Sequence, residues 1–342
     1  MKRLMTLAAL IAAPAGAEGI QPPGKPYSFV ETGERFDKLW DALFAVKGRK
    51  LTLRFEPGLY RECGVQVSGN VTFQAAVPGK VILDGKLCEG KAGLVLRGDK
   101  ARVEGFIFAH YHGEDGNGAG IRLEKGDLAV VQSWFRDSDE GILAANDPRG
   151  TISIDRSTFT HLGRCDRGLA CAHSVYLNFY DRVVITNSRF EAGDGGHYIK
   201  SRARVVEIRN NVIDDSAGRR SNYLIDLPAG AAGRISGNWL VQGAQKENPG
   251  TIIAVSAEGR EHPSDGLVIE GNTVRMAPGR GRGWPLCAIG RAGGLCWGRT
   301  RPMPGLCGIS GNRLEKMARA VALGGQIALV MRVGRKRVGD AL

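Results

Sequence analysis

Val183-Val184-Ile185-Thr186-Asn187-Ser188-Arg189-Phe190, followed by Val205-Val206-Glu207-Ile208-Arg209-Asn210-Asn211-Val212-Ile213, decides the fold. In each stretch an Asn or Ser stands three residues after an Ile, and an apolar residue stands two further on. The same pattern, apolar-x-x-Asn/Ser-x-apolar, is found at Val130/Ser133/Phe135, Ile154/Ser157/Phe159, Ile235/Asn238/Leu240, Ile269/Asn272/Val274 and Ile309/Asn312/Leu314. Val103/Phe106/Phe108 is an earlier copy with an aromatic residue at the polar position. The polar positions 133, 157, 188, 211, 238, 272 and 312 are 24, 31, 23, 27, 34 and 40 residues apart. A constant motif at variable spacing describes one fixed corner per turn of a solenoid, with loops of different length inserted elsewhere.

The residue types say which solenoid. Val, Ile and Phe alternate with polar residues, the period of a strand. Gly, Asn and β-branched residues work against helical repeats. Asn or Ser tolerates a tight bend and bonds neighbouring backbone, so stacked corners form a ladder. The expected fold is all-β, a single-stranded right-handed parallel β-helix with strands about 4.8 Å apart, closed by an N-terminal capping helix. The competing reading is chance matches in a Gly-rich β-sandwich. For 342 residues the solenoid reading implies one elongated unit of about ten coils, because each coil contacts only its neighbours. The 49 glycines lack a collagen period and read as turns.

Lys2 and Arg3 precede an apolar run over residues 4–13, and Ala15-Gly16-Ala17 offers the small residues of a cleavage site. Residues 1–17 therefore read as a signal peptide, 18–34 as a leader, 35–315 as the β-helix with its capping helix, and 316–342 as a last strand and basic tail. The apolar run falls short of the roughly 20 residues of a membrane span, so a periplasmic or secreted protein is expected. In an oxidising compartment the seven cysteines are free to pair. Cys165 and Cys171 are placed to close one loop, and Cys63 and Cys88 to staple the first coils. Two of Cys287, Cys296 and Cys307 would leave one thiol over. No C-x-x-C spacing suggests zinc.

From Glu34 to Phe44 the order of residues puts Phe36, Leu39, Trp40 and Leu43 on one helical face. Such a helix suits the open end of a β-helix. Lys50-Leu51-Thr52-Leu53-Arg54-Phe55-Glu56-Pro57-Gly58-Leu59-Tyr60 then alternates as a strand and ends in a Pro-Gly turn. With the Asn/Ser corners, these features resemble the pectin-lyase-like superfamily of right-handed β-helix proteins over roughly residues 48–315. That resemblance implies a fold more firmly than an activity, since the superfamily includes polysaccharide lyases, uronan C5-epimerases, glycoside hydrolases, esterases and non-catalytic binders.

Between successive corners lies a second strand, and three consecutive copies are unusually polar: His173-Ser174-Val175-Tyr176-Leu177-Asn178, His197-Tyr198-Ile199-Lys200-Ser201-Arg202 and Asn222-Tyr223-Leu224-Ile225-Asp226-Leu227. If Val175, Ile199 and Ile225 point inward, Tyr176, Lys200 and Asp226 stack on the outer face. His173 and His197 then stack before them, and Asn178 and Arg202 after. Glu140 comes level with the histidines on the preceding coil, and Asn146 lies toward the far end. Singly, each is an ordinary surface residue. Their coincidence on adjacent coils argues for a polysaccharide cleft.

Abstracting the C5 proton of a uronic acid requires a neutraliser for the carboxylate, a base, and a proton donor to the leaving oxygen. Arg202 is the natural neutraliser, because guanidinium pairs bidentately with carboxylate. Lys200 is the expected base with His197 as competitor, and Tyr176 the expected donor. His173, Asn178, Asp226, Glu140 and Arg122 are expected to bind substrate. Some β-helix lyases use a Lys base with an Arg partner, which this pair resembles in residue type. The calcium sites of pectate-lyase-like proteins gather carboxylates, whereas Glu140, Asp194 and Asp226 are scattered here. No metal or other cofactor is therefore expected, with calcium the one ion these residue types would admit. His110, Tyr111 and His112, beside Glu114 and Asp115, are candidates for one end of the groove, and Asp214-Asp215 reads as a turn.

A net charge of +12, or +10 without Lys2 and Arg3, favours an acidic partner. In an export compartment that points to an anionic polysaccharide. Nucleic acid is not expected, because no aromatic-interleaved basic groove occurs, and a monomer is expected. Residues 277–307, with Arg280, Arg282, Trp284, Arg291, Trp297, Arg299 and Arg301, read as a sugar-gripping flap or a disulfide-pinned loop. The leading expectation is a lyase acting on a uronic-acid glycan by β-elimination. A C5-epimerase, a glycoside hydrolase using Asp194 and Asp226, and a non-catalytic carbohydrate-binding or envelope scaffold are the alternatives.

Overall fold

The computed structural model describes residues 21–277 and the backbone of four further strands, Leu286–Gly290, Gly293–Trp297, Val321–Leu323 and Gln326–Arg332. The expected signal segment, the expected corner at Asn312 and the expected basic tail lie outside the described residues. So do the side chains of residues 278–307, with Cys287, Cys296 and Cys307 among them.

One turn of the coil consists of Ile199–Ser201, Val205–Arg209 and Val212–Asp214, three short strands separated by bends. Each pairs in parallel with its counterpart one turn on: Ile199 with Ile225, Val206 with Gly233, Ile213 with Leu240. The first strand of every turn belongs to a 10-stranded sheet, and the other two to a 21-stranded sheet. From Gly64–Gln66 to Thr251–Val255, seven successive parallel pairings build about seven turns. The fold class is thus the all-β, single-stranded parallel β-helix that the corner motif implies. The expectation of about ten coils is for the whole chain, of which the described residues show about seven turns.

Alternation along each strand sends Val183, Ile185, Val206, Ile208 and Ile213 into the core, where all are fully buried. Equivalent positions meet on successive turns. Phe108, Phe135, Phe159 and Phe190 stack with centroids 4.7, 4.9 and 4.6 Å apart and nearly parallel planes. Each such side chain contributes about 1.5–3 kcal/mol by leaving water.

The corners form a hydrogen-bonded ladder. Ser133 N–H donates to Ser157 Oγ (3.2 Å), Ser157 to Ser188 Oγ (3.1 Å), Ser188 to Asn211 Oδ1 (2.9 Å), Asn211 to Asn238 Oδ1 (2.9 Å) and Asn238 to Asn272 Oδ1 (3.0 Å). The residue before each corner is left-handed, with φ of 57° at Asn210 and 66° at Gly237, which turns the polar side chain inward. Asn238 also donates Nδ2–H to Ile208 O at 2.9 Å. Asn238→Ala should therefore leave the buried Asn211 N–H without its acceptor. At about 1–3 kcal/mol for each buried group left unpaired, its urea midpoint should fall clearly. Asn238→Ser, which keeps an acceptor as at Ser133, Ser157 and Ser188, should lose less. Equal midpoints for wild type and the Ala variant would show that the ladder carries no stability.

The N-terminal helix is shorter than its sequence pattern, running only from Leu39 to Phe44, because Arg35–Phe36 pairs as a strand with Tyr27–Phe29. Leu39, Ala42 and Leu43 join the core, while Trp40 is 61% exposed, so Trp40 is not on the buried face. The strand from Lys50 to Phe55 forms as expected. Gln326–Arg332 also forms a strand, but it pairs antiparallel with Leu267–Met276 and does not add another parallel turn. Two disulfides join Cys63 to Cys88 and Cys165 to Cys171. No helix of the described residues is long and apolar enough to cross a membrane.

Candidate functional site

The face assignment made from the sequence holds on the 10-stranded sheet. Val175, Ile199 and Ile225 are fully buried in the core and in register. The outward row aligns Arg122 with Leu143, Leu143 with Tyr176, Tyr176 with Lys200 and Lys200 with Asp226.

Before this row runs a stack of rings. His173 and His197 lie 4.8 Å apart at 16°, and His197 and Tyr223 lie 5.1 Å apart at the same angle. Gly196, at φ 61°, lets the chain pass close to the previous turn, for a Cβ there would sit 2.0 Å from Ala172 O. His197 N–H consequently reaches His173 Nδ1 at 2.9 Å, and Tyr223 N–H reaches His197 Nδ1 at 3.1 Å. A ring nitrogen that accepts from backbone carries no proton, so both neutral imidazoles hold theirs on Nε2. Burial and the nearby Lys200 charge push the His197 pKa down to about 3, and burial, with the neighbouring His197 ring and the charges of Lys200 and Arg202, pushes His173 well below its ordinary value. His197 Nε2 lies 3.4 Å from Asp226 Oδ2. This argues against His197 as the competing base, because the lone pair of its neutral ring is taken up by Tyr223 N–H.

Asp226 is 2% exposed, and its Oδ1 is buried without a hydrogen-bond partner from the protein. Burial raises its pKa to about 7 against the opposing charges of Lys200 and Arg202, with Glu258 adding to the rise. Lys200 Nζ lies 3.8 Å from Asp226 Oδ2, 3.0 Å from Glu258 Oε1 and 5.3 Å from the centre of the Tyr176 ring. Arg202 donates Nε–H to Tyr176 OH at 3.1 Å and pairs with the other oxygen of Glu258. Because Tyr176 accepts that bond, its own phenolic proton remains available to donate.

Farther along the row, Glu140 is 1% exposed and accepts from His173 N–H at 3.4 Å. Burial raises its pKa well above the ordinary carboxylate range, with Arg122 only partly offsetting this. Its Oε2 and the Arg122 Nε are both buried without a protein partner. Asn178 is half-buried just past Leu177, whose carbonyl accepts from Arg202 N–H at 2.9 Å. Asn146 Oδ1 accepts from Phe179 N–H at 3.4 Å.

Several expectations change. The cluster is not an open outer face: His173, His197, Lys200 and Asp226 are all buried, and Glu258, from the segment after Thr251–Val255, covers Lys200 and Arg202. Tyr111 belongs to the core, while His110 and His112 bind Asp84 and Asp139, so these three do not extend the row. Asp194 pairs at 3.6 Å with His161 and is not near Asp226 in the register, which leaves the hydrolase pairing without support. Among the described residues, no group of three or more His, Cys, Asp or Glu side chains is placed to hold a metal ion. Asp215 is more than a turn residue, since it is fully buried and bonded to Tyr198, Ser221, Gly243 N–H and Lys246.

Sequence reading missed Glu258, because it sits some 30 residues beyond the last polar strand in an irregular loop with no periodic signal. It also cast Asp226 as a binding residue, since nothing in the local sequence shows its burial. Comparison with family models, curated proteins and solved structures returns no match. The site is therefore read from its own geometry.

Proposed function

We propose that this chain is an exported protein that cleaves a uronic-acid glycan by β-elimination, on a β-helix of the pectin-lyase-like kind. One observation carries the reading: Lys200 and Arg202 jointly grip a carboxylate, that of Glu258, beside a buried carboxyl that titrates near neutrality and a phenol with a free proton. The two disulfides and the basic composition support an oxidising compartment and an acidic glycan.

In this mechanism Arg202 and Lys200 hold the uronate carboxylate, so that negative charge can build on it as the C5–H bond breaks. Asp226 takes the C5 proton. The released electron pair forms the C4–C5 double bond and expels the C4 oxygen, which receives its proton from Tyr176. The base thus moves from Lys200 to Asp226, for the carboxylate near pH 7 is matched to proton abstraction, while Lys200 serves charge. His197 borders Asp226, with Nε2 3.4 Å from Oδ2. An epimerase would share the first step and return the proton to the opposite face of C5.

Ultraviolet absorbance of the unsaturated uronate product, followed over a panel of uronans, tests the reading. Epimerised but uncut product would replace it with the C5-epimerase, and binding without any turnover would replace it with the scaffold. On a cleaved uronan, Arg202→Ala should raise KM and lower kcat together, because carboxylate pairing acts in the ground state and strengthens in the transition state. Arg202→Lys should recover only part, lacking the bidentate fork. Unchanged kinetics in both variants would remove Arg202 from the mechanism.

A further inference from the structure

Glu258 has the chemistry of a ligand. Its side chain is 48% exposed, yet its two oxygens are divided between cations that are only 11% and 16% exposed, Lys200 at 3.0 Å and Arg202. It therefore caps the pair from the solvent side. The segment that delivers it is tied to the turn after Leu227 mainly through backbone. Ser256 N–H donates to Leu227 O (2.9 Å), Glu258 N–H and Gly259 N–H to Pro228 O (3.1 and 3.0 Å), and His262 N–H to Ala229 O (3.0 Å). His262 Nε2 and Arg202 O lie 3.0 Å apart, and Ser264 Oγ accepts from Ala231 N–H at 3.2 Å. The segment leaves the strand Thr251–Val255 through Ser256 at φ 56°, a left-handed position that a non-glycine residue rarely takes.

We infer that Lys200 and Arg202 form a carboxylate seat which Glu258 fills in the free protein as an internal stand-in, so that a carboxylated sugar binds only by displacing it. The inference rests on the reading of the site as one that takes uronates. With only the Asp226 carboxyl, 3.8 Å from Lys200, to oppose them, the buried Lys200 and the partly buried Arg202 would be short of counter-charge, and a half-exposed carboxylate on a surface strap satisfies them while remaining removable. A carboxylate-bearing sugar makes the same two charge-assisted bonds and adds its hydroxyl contacts. A neutral sugar has no group to exchange for Glu258. The strap therefore selects for charge, at the expense of affinity for every carboxylate, because the competent, open state is only partly populated.

The test is calorimetric titration with D-galacturonate, which has no glycosidic bond to cut, and with D-galactose as its neutral counterpart. Glu258→Gln should bind galacturonate at least about 10-fold tighter than wild type, as expected when an internal competitor is removed. Neither protein should gain affinity for galactose. Adding Arg202→Ala to Glu258→Gln should abolish the gain, and Glu258→Ala, a second variant at a half-exposed position, should reproduce it. Equal galacturonate affinity in wild type and both Glu258 variants would overturn the inference. So would a gain that survives Arg202→Ala, or one shared by galactose. Tighter galacturonate binding with no uronan cleaved would sink the lyase reading and leave the seat standing. Cleavage of a uronan with no gain in Glu258→Gln would do the reverse.

Discussion

Asp226→Asn should lower turnover on a uronan substrate by about 10² to 10⁴, the usual contribution of one positioned general base, while the folded protein keeps or gains stability. The two outcomes have one cause. Burial raises the Asp226 pKa from 3.8 to about 7, with Lys200, Arg202, Glu258 and the Nε2–H of His197 as the groups that face it. A carboxyl whose folded pKa lies above its unfolded value contributes stability that is complete below about pH 4 and is lost as pH rises through about 7. Asn reproduces the neutral acid without the titration, so wild type should weaken between those limits relative to the variant. Activity runs the other way, because abstraction needs the ionised carboxylate: kcat/KM should rise toward about pH 7 and level off above it. A profile flat from pH 5 to 9 would remove Asp226 as the base. So would an Asn variant that keeps wild-type turnover.

The fold was legible because its evidence repeats. Ser188, Asn211 and Asn238 are three instances of one corner, and a motif that recurs at irregular spacing has few explanations besides a coil. The row Tyr176, Lys200 and Asp226 was legible for the same reason, since a strand period of two fixes which face each residue takes once Val175, Ile199 and Ile225 are assigned inward. What the sequence could not carry is depth. Nothing in Ile225-Asp226-Leu227 shows that the carboxyl is nearly sealed, because its burial depends on neighbours from another turn, His197 and Lys200 among them. Glu258 was invisible for the same reason, as loop residues carry no period. The tautomer of His197 depends on the path of the chain through Gly196 and Tyr223, which only coordinates describe. Trp40 was misplaced because helical periodicity was extended across Arg35–Phe36, where strand pairing with Tyr27–Phe29 prevails.

Lys246→Met should cost about 3–5 kcal/mol of folding free energy, the range for breaking a buried ion pair from one side. Lys246 and Asp215 are both fully enclosed, with Nζ 2.9 Å from Oδ2, and Lys246 also donates to Ser221 Oγ at 3.2 Å. Asp215 accepts in addition from Tyr198 OH at 2.6 Å, Ser221 OH at 2.6 Å and Gly243 N–H at 3.1 Å. Removing the cation leaves a carboxylate in the interior with dipoles but no counter-charge. Asp215→Asn combined with Lys246→Met should recover much of the loss, since neither charge is then stranded. Urea unfolding of the single and double variants measures this coupling. A single variant that loses no more than the ±0.5 kcal/mol of a surface substitution would show that the pair is not a counter-charge couple. The network also bridges three turns, through the parallel contacts of Gly196 with Ser221 and of Ser221 with Lys246. Tyr198 stands between His197 and Ile199, so the same bonds that enclose Asp215 hold the histidine stack against the strand of Lys200. Lys246→Met should for that reason weaken turnover as well as stability, although Lys246 lies outside the row that meets the sugar.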